Sequence, residues 1–115
     1  MNRGWISLTI AAALWMATGC VSFKDMRARG AYLKGDLDTA ETLTDKSLAS
    51  DPNDLQARKL GAKIATKRGA EALDHGDLKK AETYFRKATE LDPADQVAAD
   101  YRQLVERELN RQSGN

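Results

Sequence analysis

An all-α fold, two helical hairpins closed by a fifth helix, is predicted by three features of this 115-residue sequence. Apolar and small residues recur at spacings of three and four through the chain after residue 22, and no stretch alternates with the period of a strand. Gly35-Asp36 and Gly76-Asp77 stand where one such apolar face ends and another begins. An internal repeat ties the two turns together. Aligned without gaps at an offset of 41, residues 31–54 and 72–95 agree at 11 of 24 positions. The identities include Gly35/Gly76, Asp36/Asp77, Ala40/Ala81, Asp51/Asp92, Pro52/Pro93 and Asp54/Asp95, which are the residues that would make turns.

Residues 1–19 read as an address, followed by a tether at 20–22. Arg3 is the sole charge before Lys24, and an apolar run from Trp5 to Ala17 follows it, the charged and apolar regions of a secretory leader. The run ends in Ala17-Thr18-Gly19-Cys20, which resembles the lipobox of bacterial lipoproteins. Small residues there let an extended chain enter a signal peptidase, and the resemblance implies a diacylglyceryl group on the Cys20 thiol. Two other readings of the leader are an ordinary signal peptide with an incidental cysteine and an uncleaved anchor over residues 4–23, which approaches spanning length. With Val21 rather than aspartate after the cysteine, the resemblance implies export to the outer membrane, facing the periplasm.

Cleavage before Cys20 would leave 96 residues (20 to 115) with 17 Lys+Arg, 18 minus Arg3, against 17 Asp+Glu. Such balance supplies no long-range field for nucleic acid. One cysteine, acylated, leaves no thiol for a disulfide, so packing alone must hold a domain of modest size.

The helices follow in order. The first is expected from about Ser22 to Leu33 and the second from about Leu37 to Ser50. Gly35 and Gly76 suit the left-handed residue that ends a helix, and Asp36 and Asp77 suit the cap of the next. The third helix is expected from about Asn53 to Asp74, with Ala57, Leu60, Gly61, Ile64, Ala65, Gly69, Ala72 and Leu73 facing inward. Pro52 and Pro93 fit the first turns of the helices that follow them, with Asp54 and Asp95 inside those turns, complementing the dipole. The fourth spans about Leu78 to Leu91 and packs Ala81, Phe85, Ala88 and Leu91. A fifth, about 95–111, lays Val97, Tyr101, Leu104, Val105 and Leu109 over the second hairpin, and 112–115 is expected to be a disordered tail.

The stretch GAEALDHGDLKKAETYFRKATELDPAD at Gly69 to Asp95 resembles a tetratricopeptide repeat, through Gly69, Ala81, Phe85, Ala88 and Pro93. Residues 22–54 make a first repeat and 55–95 a second. The offset of 41 exceeds the family's 34 by seven residues, about two turns that rotate an apolar face by about 20°. The resemblance implies a helical domain over 23–111 that binds other proteins. In the first repeat, Ala28, Ala40, Thr44, Ser47 and Pro52 stand at the matching positions, and the two hydroxyl residues predict a looser first hairpin.

Chemistry is sparse. His75 is the single histidine and reads as a solvated turn residue, with no nucleophile or carboxylate spaced to make it a base. One His and one Cys are too few for a metal site, and phosphate-binding and nucleophile-elbow motifs are absent. No enzyme activity, cofactor, small-molecule substrate or nucleic acid is expected. One surface feature stands out: Arg58, Lys59, Lys63, Lys67 and Arg68 on the third helix, with Lys59, Lys63 and Lys67 aligned at i, i+4, i+8. They form either a solubilising face paired with acids of neighbouring helices, a strip for an acidic segment, or a site for lipid headgroups. Phe23 and Met26, at the outer side of the first hairpin, are expected to leave an apolar seam for a partner or a second copy. The function expected is a lipid-anchored adaptor that binds another envelope protein. The alternatives are a self-associating structural lipoprotein and an accessory subunit of an envelope enzyme.

Overall fold

A computed structural model describes residues 23–114; the leader, Cys20 and the side chains of Phe23 and Lys24 lie outside the described residues. Five helices follow in order: α1 (Phe23–Lys34), α2 (Leu37–Ser50), α3 (Leu55–Asp74), α4 (Leu78–Leu91) and α5 (Gln96–Ser113). The described residues contain no strand, so the fold is all-α.

The repeat is carried in the turns, bond for bond. Gly35 and Gly76 take positive φ of 81° and 73°, the left-handed backbone that an L side chain adopts at a cost. Around them Asp36 N–H reaches Ala31 O at 3.0 Å and Gly35 N–H reaches Tyr32 O at 3.0 Å; Asp77 and Gly76 repeat the pattern with Ala72 O and Leu73 O, each at 2.9 Å. These are paired Schellman closures, which satisfy the last carbonyls of α1 and α3. The same aspartates then cap the next helix, Asp36 accepting from Thr39 N–H and Asp77 from Lys80 N–H, both at 3.1 Å.

The second turn type also recurs. Asp51 accepts from Asn53 N–H at 3.0 Å and Asp92 from Ala94 N–H at 3.2 Å, bending the chain through Pro52 and Pro93. Here the structure corrects the expected boundaries. Asp54 and Asp95 are N-caps rather than first-turn residues: Asp54 accepts from Gln56 and Ala57 N–H at 3.0 and 3.2 Å, and Asp95 from Ala98 N–H at 3.2 Å. A capping residue has non-helical backbone, so α3 begins at Leu55 and the prolines sit in the turns before the helices. At the other end, α5 runs through Ser113, past the expected limit at 111, with Gly114 N–H bonded to Asn110 O.

The long α3 is the hub. One side of it, through Leu60 and Ile64, meets Ala28 and Ala40 of the first hairpin. Another side, through Ala62 and Ala65, meets Ala88 of α4 and Ala98 of α5. Alanines throughout that second seam let three helices approach closely. Below it, Ala72, Ala81, Phe85 and Val105 close the second hairpin against α5.

The first hairpin is better satisfied than its hydroxyl residues suggest. Thr44 is buried, and its Oγ1 donates to Ala40 O of its own helix at 2.7 Å, leaving its methyl to face α3. Ser47 lies 3.5 Å from Asp25 Oδ1 of α1.

The fifth helix differs from expectation on one face. Ala98 and Val105 are buried and Leu109 packs beside them, but Val97, Tyr101 and Leu104 are 58, 37 and 52% exposed. At 100° per residue, positions 97, 101 and 104 form a stripe roughly a quarter turn from 98, 105 and 109. Ala98, Val105 and Leu109 pack on α3 and α4, Tyr101 lies at the margin with its ring against Phe85, and Val97 and Leu104 stand outside.

Candidate binding groove

The five cations of α3 divide into two kinds. Arg58 turns away from the strip and holds the end of α4: its Nη2 donates to Glu90 O at 2.8 Å, Nε to Leu91 O at 3.1 Å and Nη1 to Pro52 O at 3.2 Å. Carbonyls at a helix C-terminus have no partner within the helix, and a planar guanidinium supplies donors to several at once. Arg68 pairs with Asp38 of α2 and lies 3.6 Å from Glu41 and 3.7 Å from Glu71. The Asp38 carboxylate raises the guanidinium pKa above its ordinary value, against the opposing effect of burial. Glu41 is also 3.4 Å from Lys87 of α4, so the acids of α2 tie the back of the two hairpins together.

The other three, Lys59, Lys63 and Lys67, are exposed. Among the described residues no carboxylate lies in ion-pair range of any of them. Lys59 and Lys63 line a groove of about 280 Å³ between α1 and α3, with Arg29, Tyr32, Leu33, Gln56 and Leu60. Lys67 continues the row, its Nζ 5.5 Å from the centroid of the Tyr32 ring, a cation–π distance. Arg29 Nη2 reaches Gln56 Oε1 at 3.5 Å across the groove. Asp25 lines an adjoining cavity of about 320 Å³ with Met26, Arg29 and Gln56.

Lys59, Lys63 and Lys67 are therefore brought together, and they face α1. Met26 lies at the groove's end, 60% exposed, and Leu33 on the same helix is 77% exposed. Cys20 and the Phe23 side chain, the remaining expected site residues, lie outside the described residues. Arg29, which supplies the opposite wall together with Tyr32, went unnoticed in the sequence. Their spacing of three on α1 puts them on one face, and that signal gains meaning once α1 is known to lie beside α3.

His75 is exposed in its turn, with Nδ1 2.7 Å from Glu71 O. The neighbouring cavity of about 300 Å³ holds His75 with Arg68, Glu71, Asp77, Lys80 and Tyr84, and its arginine is already committed to α2. Among the described residues no three His, Cys, Asp or Glu side chains converge to hold a metal, and no helix is long and apolar enough to cross a membrane. No protein-family model, curated protein or solved structure matches the chain.

Proposed function

We propose that this chain is a lipid-anchored adaptor of the bacterial cell envelope, whose tetratricopeptide-like hairpins hold a segment of another envelope protein. The observation that carries the reading is the duplicated hairpin: two units with the same closures and caps, stacked through α3, leave a cation-lined groove between their leading helices α1 and α3. Repeated hairpins bury their faces against neighbours and offer a continuous surface for a partner. The tether rests on the lipobox-like Ala17-Thr18-Gly19-Cys20, with Cys20 as lipid attachment site and the outer membrane as destination. A photo-crosslinking residue at position 63, and separately at position 46 on α2, tests the adaptor role in native membranes. Adduct formation with a distinct protein from 63 and none from 46 is expected; no adduct from 63 refutes it.

Self-association is the second reading, and one observation favours it. Apolar side chains stand open at both ends of the stack, Met26 and Leu33 on α1 and Val97 and Leu104 on α5, and a head-to-tail contact between copies would cover both. Adducts between copies alone would select this reading over the first.

A further inference from the structure

We infer that the α1/α3 groove receives an extended acidic segment of the partner, with carboxylates on alternate residues and apolar side chains between them. The inference rests on the groove being the face that holds a partner, and adds what the partner must present there.

Charge sets the sign. Arg29, Lys59, Lys63 and Lys67 line or flank the groove, and no acid among the described residues lies within 4.0 Å of the three lysines. Arg68, Lys87, Arg86, Arg102 and Arg111 each have a carboxylate, and among the described residues other surface cations such as Lys34, Lys46 and Arg107 do not. What sets the groove apart is that Lys59, Lys63 and Lys67 stand in one row with Arg29 on the facing wall. Unmatched like charges on one wall favour a ligand of opposite sign and speed its encounter.

Spacing sets the form. Residues four apart on a helix rise about 6.0 Å, so the three lysines cover about 12 Å. An extended chain places every second side chain on the same edge about 6.6 Å apart. Three alternate carboxylates therefore match the three lysines to within about 1.5 Å overall. Carboxylates four apart on a helix would match the lysines as well, so an alanine-based peptide with glutamates at positions one, five and nine joins the test below, and its binding more tightly than the alternating peptide overturns the extended form. The side chains on the other edge of an extended segment would face α1, where Tyr32 and Leu33 offer apolar surface, with Leu60 between the walls.

The test uses the full chain in non-ionic detergent and fluorescence anisotropy with labelled ten-residue peptides. One carries three glutamates at alternate positions with alanine or leucine between; a second has the same composition with the glutamates contiguous; a third carries glutamine instead; a fourth is the alanine-based peptide with glutamates at positions one, five and nine. The alternating peptide should bind, the contiguous one several-fold more weakly, and the glutamine one not measurably. Lys63→Glu should weaken the alternating peptide by about tenfold or more, since it turns an attraction into a repulsion, while Lys46→Glu on α2 should change affinity less than twofold. Failure of the alternating peptide to bind, equal affinity for the alternating and contiguous peptides, or indifference to Lys63→Glu overturns the inference. Equal displacement of the peptide by inorganic phosphate or by phosphatidylglycerol vesicles at matched ionic strength also overturns it, in favour of a general anion or membrane site. A chain that cross-links to a partner through position 63 yet ignores these peptides refutes the acidic segment and leaves the adaptor role intact.

Discussion

The edge of the Phe85 ring fills the space where Gly69 would carry a side chain. A Cβ on Gly69 would stand 2.6 Å from Phe85 Cε1 and 2.7 Å from Cζ, closer than carbon atoms approach. Phe85 is fully buried and stacks its other side on Tyr101 of α5, with ring centroids 5.0 Å apart and planes 4° from parallel. The ring is thus held between a glycine of α3 and a tyrosine of α5, and it has nowhere to retreat.

Gly69 and Gly61, both within α3, should therefore respond oppositely to alanine. Gly69→Ala gains up to about 1 kcal/mol of helix propensity but must displace a packed ring, and a net loss of about 1–3 kcal/mol is expected. At Gly61 the added carbon meets Leu91 Cδ1 at 3.0 Å and Thr44 Cγ2 at 3.4 Å, and Leu91 is a half-buried flexible tip that can yield. Gly61→Ala should be neutral or stabilising. Urea denaturation midpoints of the two variants check the contrast.

The second hairpin should carry more of the stability than the first. Phe85→Ala removes a fully buried ring and should cost about 3–5 kcal/mol. Thr44 at the equivalent position returns its hydroxyl to Ala40 O, a carbonyl that a helix already engages. Thr44→Val keeps the packed shape and gives up that one hydrogen bond, so it should cost about 0.5–1.5 kcal/mol. Equal losses in thermal melts would contradict this asymmetry.

Much of this architecture was legible in the sequence because turn chemistry is local. Helices α2 and α4 have the expected bounds, and Gly35, Asp36, Gly76 and Asp77 do what their residue types favour. What was not legible depends on more than one neighbour. Ala62 is fully buried but lies off the stripe read for α3, because a helix at the centre of a stack buries two faces and a single stripe describes one. Val97 and Leu104 look like core by period, yet the seat on α3 and α4 takes Ala98 and Val105, with Tyr101 at its edge against Phe85 as expected. Of five cations read as one strip, three line or flank the groove, and Arg58 and Arg68 bond structure behind it.

Asp36 should give the fold a measurable acid dependence. The Thr39 hydrogen bond lowers its carboxyl pKa below the ordinary 3.8, since an N-cap bond favours the charged form. A folded-state pKa below the unfolded one means stability that is present above 3.8 and disappears as pH falls through the folded value. Asp36→Asn keeps an acceptor at the cap but cannot titrate. The difference in melting temperature between the wild-type chain and Asp36→Asn should therefore be constant near neutrality and change as pH falls from about 5 through 3.8, with the wild type losing ground. A difference that stays constant into strong acid would contradict the assigned bond.

Membrane attachment should depend on Cys20 alone. Acyl chains contribute about 0.8 kcal/mol per buried CH₂, and two or more chains give stable anchoring. Among the described residues no helix can span a bilayer, so no other segment there substitutes for a lipid. Cys20→Ala should move the chain out of the membrane pellet, and mass spectrometry of the wild type should find an acylated N-terminal cysteine. An intact N-terminus containing Arg3 would refute the lipid anchor.

Arg58 and Lys59 are adjacent in sequence and should behave as residues with unrelated tasks. Arg58 bonds the carbonyls of Glu90 and Leu91 at the end of α4 and of Pro52 in the turn before α3, so it fastens the end of α4 to the start of α3. Arg58→Ala leaves those carbonyls to water and unties that corner, and should cost about 1–2 kcal/mol, near the value of hydrogen bonds from a charged donor. Arg58→Lys keeps the charge but loses the planar fork, and should recover part of the loss. Lys59 bonds no carboxylate among the described residues and faces the groove. Lys59→Ala should shift stability by less than about 0.5 kcal/mol while weakening the acidic peptide. Denaturation midpoints and peptide anisotropy, measured on the same three variants, separate the two tasks. If Arg58→Ala weakened the peptide as much as Lys59→Ala at unchanged stability, Arg58 would belong to the groove after all.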